Sequence, residues 1–394
     1  MKKFISGLGI NILLLGIISF LTDVSSEMIL AILPLFIASL GGAGIAIGLI
    51  GGIGDSVASL LKVFSGYWSD RLRKRKPFAF FGYSISSVAK LFFPFIASWT
   101  QLLILRPLER VGKGVRDAPR DALIAASSKV EVRGKAFGFH RAMDSSGAFL
   151  GALLAFILFW FLKFEFKPIL FIAALVSFLA LFPFAWVKEK AFADRPQGKS
   201  SFRINLRSLP TSFRRYLMVT VVFALGNFTY MFFVLRARDV FQPVFPFRLA
   251  LTIPILLYCW FNIVYALFSL PGGILSDRIG RKRTLRLGYL AYGLSCVGFA
   301  VTRTLASFII LFALYGFSFA LVEGNQRAFA SVFVEENLRG TALGAFHTAI
   351  GISTLIASIF AGILWNFSPK LTFSYGAIMG LVAAISIGSI GKKL

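Results

Sequence analysis

The stretch that decides the fold is Gly66-Tyr67-Trp68-Ser69-Asp70-Arg71, and it recurs 207 residues later as Gly273-Ile274-Leu275-Ser276-Asp277-Arg278. Each copy ends one long apolar stretch and precedes another, which predicts a short basic loop between two membrane helices. The motif Arg133–Gly138 also recurs, as Arg339–Gly344, at an offset of 206 residues. A repeat that keeps its register over this distance indicates an internal duplication.

Composition indicates an integral membrane protein. The chain is 57% hydrophobic, its mean hydropathy is +0.79, and apolar runs of about 20 residues, long enough to cross a bilayer as helix, recur throughout. A net charge of +25 suggests nucleic-acid binding in a soluble protein, but here the bases lie in short loops between spans, so no nucleic-acid partner is expected. Only Cys259 and Cys296 are present, both in apolar segments, so neither a disulfide framework, a metal site nor a cofactor is expected.

The apolar runs predict twelve membrane helices in an all-α fold, with an N-terminal six-helix bundle (1–187), a basic cytoplasmic linker (188–214) and a C-terminal six-helix bundle (215–394). An even number of crossings puts both termini on one side. Loops and tails of that side hold 26 Lys and Arg residues against five opposite, which predicts cytoplasmic termini in a plasma membrane protein. The predicted helices span residues 8–38, 44–68, 78–98, 101–126, 136–160, 169–187, 215–238, 251–275, 285–302, 306–330, 341–366 and 371–390.

The repeated motif resembles the loop signature of the major facilitator superfamily, G-x-x-x-D-R-x-G-R-K-R, and the resemblance covers the whole chain. The second copy fits every defined position, and the first has Arg73 where the family has glycine. The resemblance implies two pseudo-symmetric six-helix bundles around a central cavity that opens to each side in turn. It also implies that Asp70 and Asp277 hold the outward-open state at cytoplasmic helix ends. The alternative is that these loops merely fix topology. The remaining residues of these gating loops are Gly66, Arg71, Gly273 and Arg278.

Charges within the predicted spans mark where function is expected. A charge that faces lipid at mid-bilayer costs about 2.5–3.5 kcal/mol, so these groups must line a wet cavity, pair with one another or lie near the interface. The fourth helix carries the largest group, on a single face at 100° per residue. That face comprises Arg106, Arg110, Lys113, Asp117, Arg120 and Asp121.

The fourth helix also resembles the family's signature of an arginine followed by glycines, which accompanies proton transfer in proton-coupled members. Its arginine is Arg106, and Arg110 stands where the first glycine is expected, before Gly112 and Gly114. The resemblance implies a proton-coupling role for the two arginines. The alternative is an ion-pair ladder that only seats the helix, in which Lys113 pairs with the acids four residues before and after it.

The first helix carries Asp23 and Glu27 four residues apart on one face. Two carboxylates this close in a low-dielectric site repel each other, so one of them is expected to hold a proton near neutral pH, as proton coupling requires. Neutralisation by Arg110 or Arg141 is the alternative. Asp144 on the fifth helix is a further candidate for proton coupling, and His140 before it is expected to be solvated.

Two other features of the first half have purely structural interpretations. Asp55 and Lys62, seven residues apart on the second helix, are expected to form an intramembrane pair. On the fifth helix, Gly138, Gly147 and Gly151 reproduce the glycine spacing of the family's antiporter signature, although its proline is absent. Close helix packing explains those glycines equally well.

The second half has fewer charges and more neutral polar residues. Glu323 and Arg327 occupy the repeat positions of two fourth-helix acids and are expected to pair. This suggests that the first half couples transport to protons while the second half binds solute, with ordinary interhelical hydrogen bonding as the alternative. The predicted substrate cavity comprises Lys113, Asp117, Arg141, Asn227, Tyr230, Tyr258, Asn262, Tyr265, Glu323, Asn325 and Arg327.

The sequence favours a secondary transporter that works as a monomer. It has no phosphate-binding loop for an ATP-driven pump, only two histidines for an enzyme site, and no visible selectivity filter. The first interpretation is proton-coupled export of a small organic or amphiphilic compound, with solute, protons and the lipid bilayer as partners. The alternatives are an organic-anion or metal-chelate carrier, and a receptor or scaffold of the same fold that moves nothing.

Overall fold

The computed structural model describes residues 9–72, 74–129, 132–189, 209–335 and 339–390. Over these ranges each predicted span is present as a helix, the seventh in two parts. The helices are α1 (Ile10–Ser39), α2 (Gly44–Arg71), α3 (Arg75–Leu91), α4 (Trp99–Ser127), α5 (Arg133–Trp160), α6 (Phe166–Leu179), α7a (Thr211–Gly226), α7b (Met231–Phe241), α8 (Phe247–Ile279), α9 (Arg281–Val301), α10 (Leu305–Ala330), α11 (Arg339–Phe367) and α12 (Pro369–Ser386).

The predicted all-α membrane fold is confirmed. Eleven segments of the described chain are long and apolar enough to cross a membrane, with α7a and α7b counted together. The remaining helix is α4, whose charged residues set it apart from the others. Because its charged residues are largely buried inside the protein, this polar helix can be part of a membrane fold.

The helices form two compact units. Unit 1 takes in α1 as far as Ile32 and the chain from Val57 through α6. Unit 2 takes in Leu33–Ser56 and the helices from α7a to α12. The predicted limits of two bundles at 1–187 and 215–394 stay a prediction, and most of the predicted linker, 190–208, lies outside the described residues.

Both copies of the repeated motif form the last turns of a helix rather than a loop. Gly66–Arg71 ends α2 and Gly273–Arg278 lies at the end of α8, so only residues 72–74 and Gly280 separate these helices from α3 and α9. Hydropathy marks where the apolar span ends, whereas the helix continues into the polar zone beyond it. Gly280 has a φ of 92°, a conformation that a side chain would strain.

The duplication is visible in matching contacts. In unit 1, Arg75 Nη1 donates to the carbonyl oxygen of Ala122 at 3.5 Å. In unit 2, Arg281 Nη1 donates to the carbonyl oxygen of Ala328 at 2.7 Å. Each pair is offset from the other by 206 residues. Positions of α3 and α4 therefore have direct structural equivalents in α9 and α10.

Glycines allow α4 to approach its neighbours closely. A Cβ atom on Gly112 would lie 2.4 Å from the carbonyl oxygen of Gly82 on α3, and one on Gly114 would lie 2.9 Å from that of Ala58 on α2. Ser86 of α3 adds a hydrogen bond from Oγ to the carbonyl oxygen of Glu109 at 2.8 Å. The most polar helix is thus packed against two others by backbone contact.

The predicted seventh helix is interrupted. α7a ends at Gly226 and α7b begins at Met231, and Asn227 between them has φ −89° and ψ 72°. The amide of Thr229 donates to Ser358 Oγ of α11 at 3.1 Å instead of continuing the helical ladder. A competing hydrogen bond at the break is a usual cause of helix interruption, and sequence periodicity does not reveal it.

We predict that Gly112→Ala destabilises the protein, because the added methyl group must push backbone atoms of α3 and α4 apart. Such overpacking typically costs about 1–3 kcal/mol. The measurement is thermal unfolding in detergent with a thiol-reactive dye, which reports exposure of the buried Cys259 and Cys296. Gly138→Ala is the matched control, since nothing lies within 4 Å of a Cβ there. An unchanged melting temperature for Gly112→Ala would contradict the packing role.

Candidate functional site

Five charged side chains of α3 and α4 are buried inside unit 1, and we call them the charged core. They are Lys90, Arg106, Glu109, Arg110 and Arg116. Arg106 Nη1 lies 2.7 Å from Glu109 Oε2, and Arg110 Nε lies 3.9 Å from the same oxygen. Glu109 is only 1% exposed, so one buried carboxylate holds two guanidinium groups. Removing one partner of such a buried pair leaves an uncompensated charge.

Arg116 is held by α3. Its guanidinium carbon lies 4.5 Å from the centroid of the Tyr83 ring, and its Nη1 donates to Ser86 Oγ at 2.9 Å. The aromatic face and the hydroxyl together replace part of the water that a guanidinium would otherwise keep. Tyr83 and Ser86 of α3, which the sequence did not single out, therefore bind a charged side chain of α4.

The predicted ion-pair ladder through Lys113 is wrong. No described carboxylate lies within ion-pairing distance of Lys113. Asp117 instead lies 3.7 Å from Lys62 of α2 and 3.6 Å from Arg120. The predicted pair of Asp55 with Lys62 is wrong for the same reason, because the ammonium of Lys62 turns across to α4. Spacing along one helix does not tell which neighbouring helix lies nearer.

Asp144 of α5 is joined to α1. Ser19 Oγ donates to Asp144 Oδ1 at 2.5 Å, and His140 Nδ1 lies 3.5 Å from Asp144 Oδ2. His140 is 4% exposed, so the expectation of a solvated histidine is wrong: α5 packs its ring inside the unit. Arg141, the next residue, is exposed.

The glycines of α5 serve close contact with α1. A Cβ atom on Gly147 would lie 2.5 Å from the carbonyl oxygen of Phe20, and one on Gly151 would lie 2.3 Å from that of Val24. Gly138 has no such neighbour. Two of the three glycines in the antiporter-like spacing therefore have a packing reason, and they bring α5 against the turn that carries Asp23.

Asp23 is partly buried within a mixed field of charge. The groups that act on it most are Asp144 of α5, Lys113 and Arg116 of α4, and Glu27 on its own helix. Two acids and two bases from three helices therefore surround this carboxylate. A change in its protonation alters the balance of the whole group.

Unit 2 presents aromatic rings where unit 1 presents charges. The Tyr230 and Tyr258 ring centroids lie 5.1 Å apart, those of Tyr258 and Phe261 6.0 Å, and those of Phe261 and Tyr265 6.2 Å. These four rings follow α8 and the start of α7b, and we call them the aromatic ladder. Three of them were predicted to line the cavity, and Phe261 was not.

The predicted pair of Glu323 with Arg327 is confirmed at 3.1 Å. Tyr265 Oη also donates to Glu323 Oε2. Both members of the pair are more exposed than any residue of the charged core, at 42% and 38% of the side chain. This pair connects the aromatic ladder to α10.

The predicted amide residues of unit 2 fall into two groups. Asn325 Nδ2 donates to the carbonyl oxygen of Leu321 at 2.8 Å, and Gln326 Nε2 donates to Tyr289 Oη at 2.9 Å, so both side chains act within the unit. Asn227 Oδ1 and Asn262 Nδ2 are buried and make no hydrogen bond with the described residues. Asn227 Oδ1 and Asn262 Nδ2 therefore have unused hydrogen-bonding capacity, and their place in a substrate cavity stays a prediction.

The charged core has apolar equivalents in unit 2. At the offset of 206, Lys90, Arg106, Glu109, Arg110 and Arg116 correspond to Cys296, Phe312, Tyr315, Gly316 and Val322. Tyr315 stacks on Phe233 with centroids 4.1 Å apart. The same helix pair therefore has a charged interior in one unit and an aromatic interior in the other.

The two gating-loop copies differ in their surroundings. A Cβ atom on Gly66 would lie 3.2 Å from Ala118 Cβ of α4, whereas Gly273 has nothing within 4 Å. Arg71 lies over the Trp68 ring at 5.8 Å. The side chain of Asp70 lies outside what the structure describes, and Asp277 and Arg278 are both exposed. Gating by these residues stays a prediction.

Lys90 was not predicted from the sequence as a site residue. Its Nζ donates to Ser25 Oγ at 3.0 Å and to Ser26 Oγ at 2.9 Å, which ties α3 to α1 between Asp23 and Glu27. The available signal was a single lysine in the otherwise uncharged stretch 77–105. Such a residue in a membrane helix is a functional candidate by default.

Comparison with known proteins agrees with this architecture. The family model described as Major Facilitator Superfamily matches residues 15–256 and 237–390. An uncharacterized MFS-type transporter of Methanocaldococcus jannaschii is 45% identical over 375 residues, which cover 95% of this chain and 93% of that protein. Multidrug resistance protein MdtH of Salmonella paratyphi C is 23% identical over 372 residues, covering 90% and 87%.

Solved structures share the fold. The nucleoside transporter NupG superposes with a TM-score of 0.79 at 16% identity, over 98% of this chain and 100% of that one. The POT family transporter PepTSo superposes with a TM-score of 0.75 at 14% identity, over 96% and 97%. At these identities the likeness establishes the fold alone. With the family match over nearly its whole length, the chain belongs to the major facilitator superfamily and is a multi-pass MFS-type transporter.

Proposed function

We propose that this transporter is a proton-coupled exporter of a small organic or amphiphilic compound, working by alternating access in the plasma membrane with both termini in the cytoplasm. The observation that carries the proposal is the position of Asp23. This carboxylate lies on α1 of unit 1 among Asp144, Lys113, Arg116 and Glu27. A carboxylate in such a field changes the charge balance of three helices when it binds or releases a proton.

The buried charged core supports the coupling part of the proposal. Charged side chains are retained inside a membrane protein where they line ion or proton pathways or substrate sites. The equivalent positions of unit 2 are also buried but hold uncharged residues. A purely structural account leaves that difference between the units unexplained.

The aromatic ladder supports an amphiphilic solute. Flat rings of Tyr230, Tyr258 and Tyr265 offer apolar faces with a polar edge, which suit compounds that are neither fully polar nor fully apolar. The relative named multidrug resistance protein MdtH points in the same direction. The nucleoside and peptide transporters share only the fold, so their solutes carry no weight here.

A second candidate is carriage of an organic anion. Four cations of the charged core, Lys90, Arg106, Arg110 and Arg116, accompany a single acid, Glu109. An excess of buried cations favours a solute with negative charge, since guanidinium groups bind carboxylates in a bidentate manner. A metal chelate with carboxylate ligands belongs to the same class.

We predict that proteoliposomes containing this protein accelerate the movement of tetraphenylphosphonium, a lipophilic cation, when a pH gradient is imposed. Benzoate, a carboxylate, is assayed in parallel. Acceleration of benzoate alone would favour the organic-anion carrier, and movement of either solute without dependence on the pH gradient would remove proton coupling. A wider solute panel in which nothing moves would favour the receptor or scaffold.

We predict that Asp23→Asn lowers gradient-driven flux by about tenfold or more, because the amide cannot exchange a proton. Counterflow of the same solute at equal pH on both sides should persist, since it needs binding and conformational change but no net proton movement. Glu27→Gln is tested beside it, and Glu165→Gln, which lies outside the spans before α6, is the matched control. Unchanged gradient-driven flux in both α1 variants would remove these acids from the proton path.

A further inference from the structure

We propose that Lys90 is a proton-exchanging residue of unit 1, alternating between ammonium and neutral amine during the transport cycle. The inference deepens the proton coupling proposed above and rests on it for its role in transport. It assigns the exchange to a base on α3, whereas the proposed function assigns it to the acids of α1.

The surroundings of Lys90 fit both protonation states. The side chain is 0% exposed, and its Nζ lies 3.0 Å from Ser25 Oγ and 2.9 Å from Ser26 Oγ. The Ser25 hydroxyl already donates to the carbonyl oxygen of Ala173 at 2.6 Å and therefore only accepts from Lys90. The Ser26 hydroxyl can accept a hydrogen bond from an ammonium and donate one to an amine. A carboxylate partner would stabilise the ammonium alone.

No described carboxylate lies within ion-pairing distance of Lys90. The charged groups that act on it are Glu109, Arg106 and Arg116 from α4 and Asp23 from α1. Glu109 is already held by Arg106 at 2.7 Å. From α6, Ser177 bonds Ser87 on the same face of α3 and contributes no charge.

A permanently charged ammonium is poorly compensated in this position. Burial of a charge without an ion-pair partner is unfavourable, and a lysine, unlike an arginine, escapes that penalty by releasing its proton. Lys90 is therefore the member of the charged core best suited to change its charge. The arginines around it stay charged throughout.

The position tolerates a small neutral residue. Its equivalent in unit 2 is Cys296, which is also fully buried, on a helix that packs against its neighbour in the same way. In α3 the close approach is Gly82 to Arg116, and in α9 it is Gly288 to Val322. The fold therefore does not require a cation here.

Asp23 of α1, which acts electrostatically on Lys90, is the proton acceptor in the inferred exchange. On release, an N–H bond of the ammonium breaks, its electron pair stays on Nζ, and an O–H bond forms on the carboxylate of Asp23. The ammonium and carboxylate become an amine and a carboxylic acid, so the net charge inside the unit is unchanged.

The test is solid-state NMR of the full chain in lipid vesicles, labelled with ¹⁵N at the lysine ζ positions. The Lys90 signal is assigned by its loss in Lys90→Cys, with Lys90→Arg as a second assigning variant if the first does not fold. We expect this signal to pass from the ammonium to the amine chemical shift within about pH 5 to 9. The matched control variant is Lys62→Arg, which keeps a cation opposite Asp117 and should leave the Lys90 signal unchanged.

A Lys90 signal that keeps the ammonium shift, or the amine shift, over the whole range would overturn the inference. The measurement needs no solute, so it separates the inference from the proposed function. If Lys90 titrates but solute flux does not depend on the pH gradient, the assignment of Lys90 as a proton-exchanging residue stands and proton-coupled export is excluded. If flux depends on the pH gradient but Lys90 does not titrate, proton-coupled export stands and the inference about Lys90 is overturned.

Discussion

The structure of unit 1 depends on keeping charge away from hydrocarbon. α4 carries more charged residues than any bilayer-facing helix tolerates, and it is accommodated because Gly112 and Gly114 let it lie in backbone contact with α3 and α2. From that position its arginines reach Glu109, Tyr83 and Ser86 rather than lipid. Gly147 and Gly151 likewise let α5 lie in close contact with α1. The close contacts that pack these helices therefore also place the buried charges beside their partners.

The two units have diverged inside a common backbone. Arg75 and Arg281 make the same contact to the fourth helix of their repeat. The buried residues between the third and fourth helices, however, are charged in unit 1 and uncharged in unit 2. In unit 2 the rings of Phe233, Tyr315 and Phe373 pack on one another. An aromatic interior needs no counter-ions, whereas the charged core of unit 1 is held by ion pairs and hydrogen bonds.

Much of the fold was predictable because it follows from length and hydropathy. Spans of about 20 apolar residues and the repeated motif predicted the helices, and the pair of Glu323 with Arg327 followed from four-residue spacing on one helix. Contacts between helices were not predictable in this way. Lys62 pairs with Asp117 across two helices, and His140 is buried by a neighbouring helix. Lys90 was missed because its partners are serines, which carry no signal in a search for opposite charges.

The junctions after the two motif copies differ in length, with three residues between α2 and α3 and one residue between α8 and α9. The single glycine between α8 and α9, Gly280, has a φ of 92°, which a residue with a side chain rarely adopts. The direction in which α9 leaves α8 therefore depends on the backbone angles of this one residue.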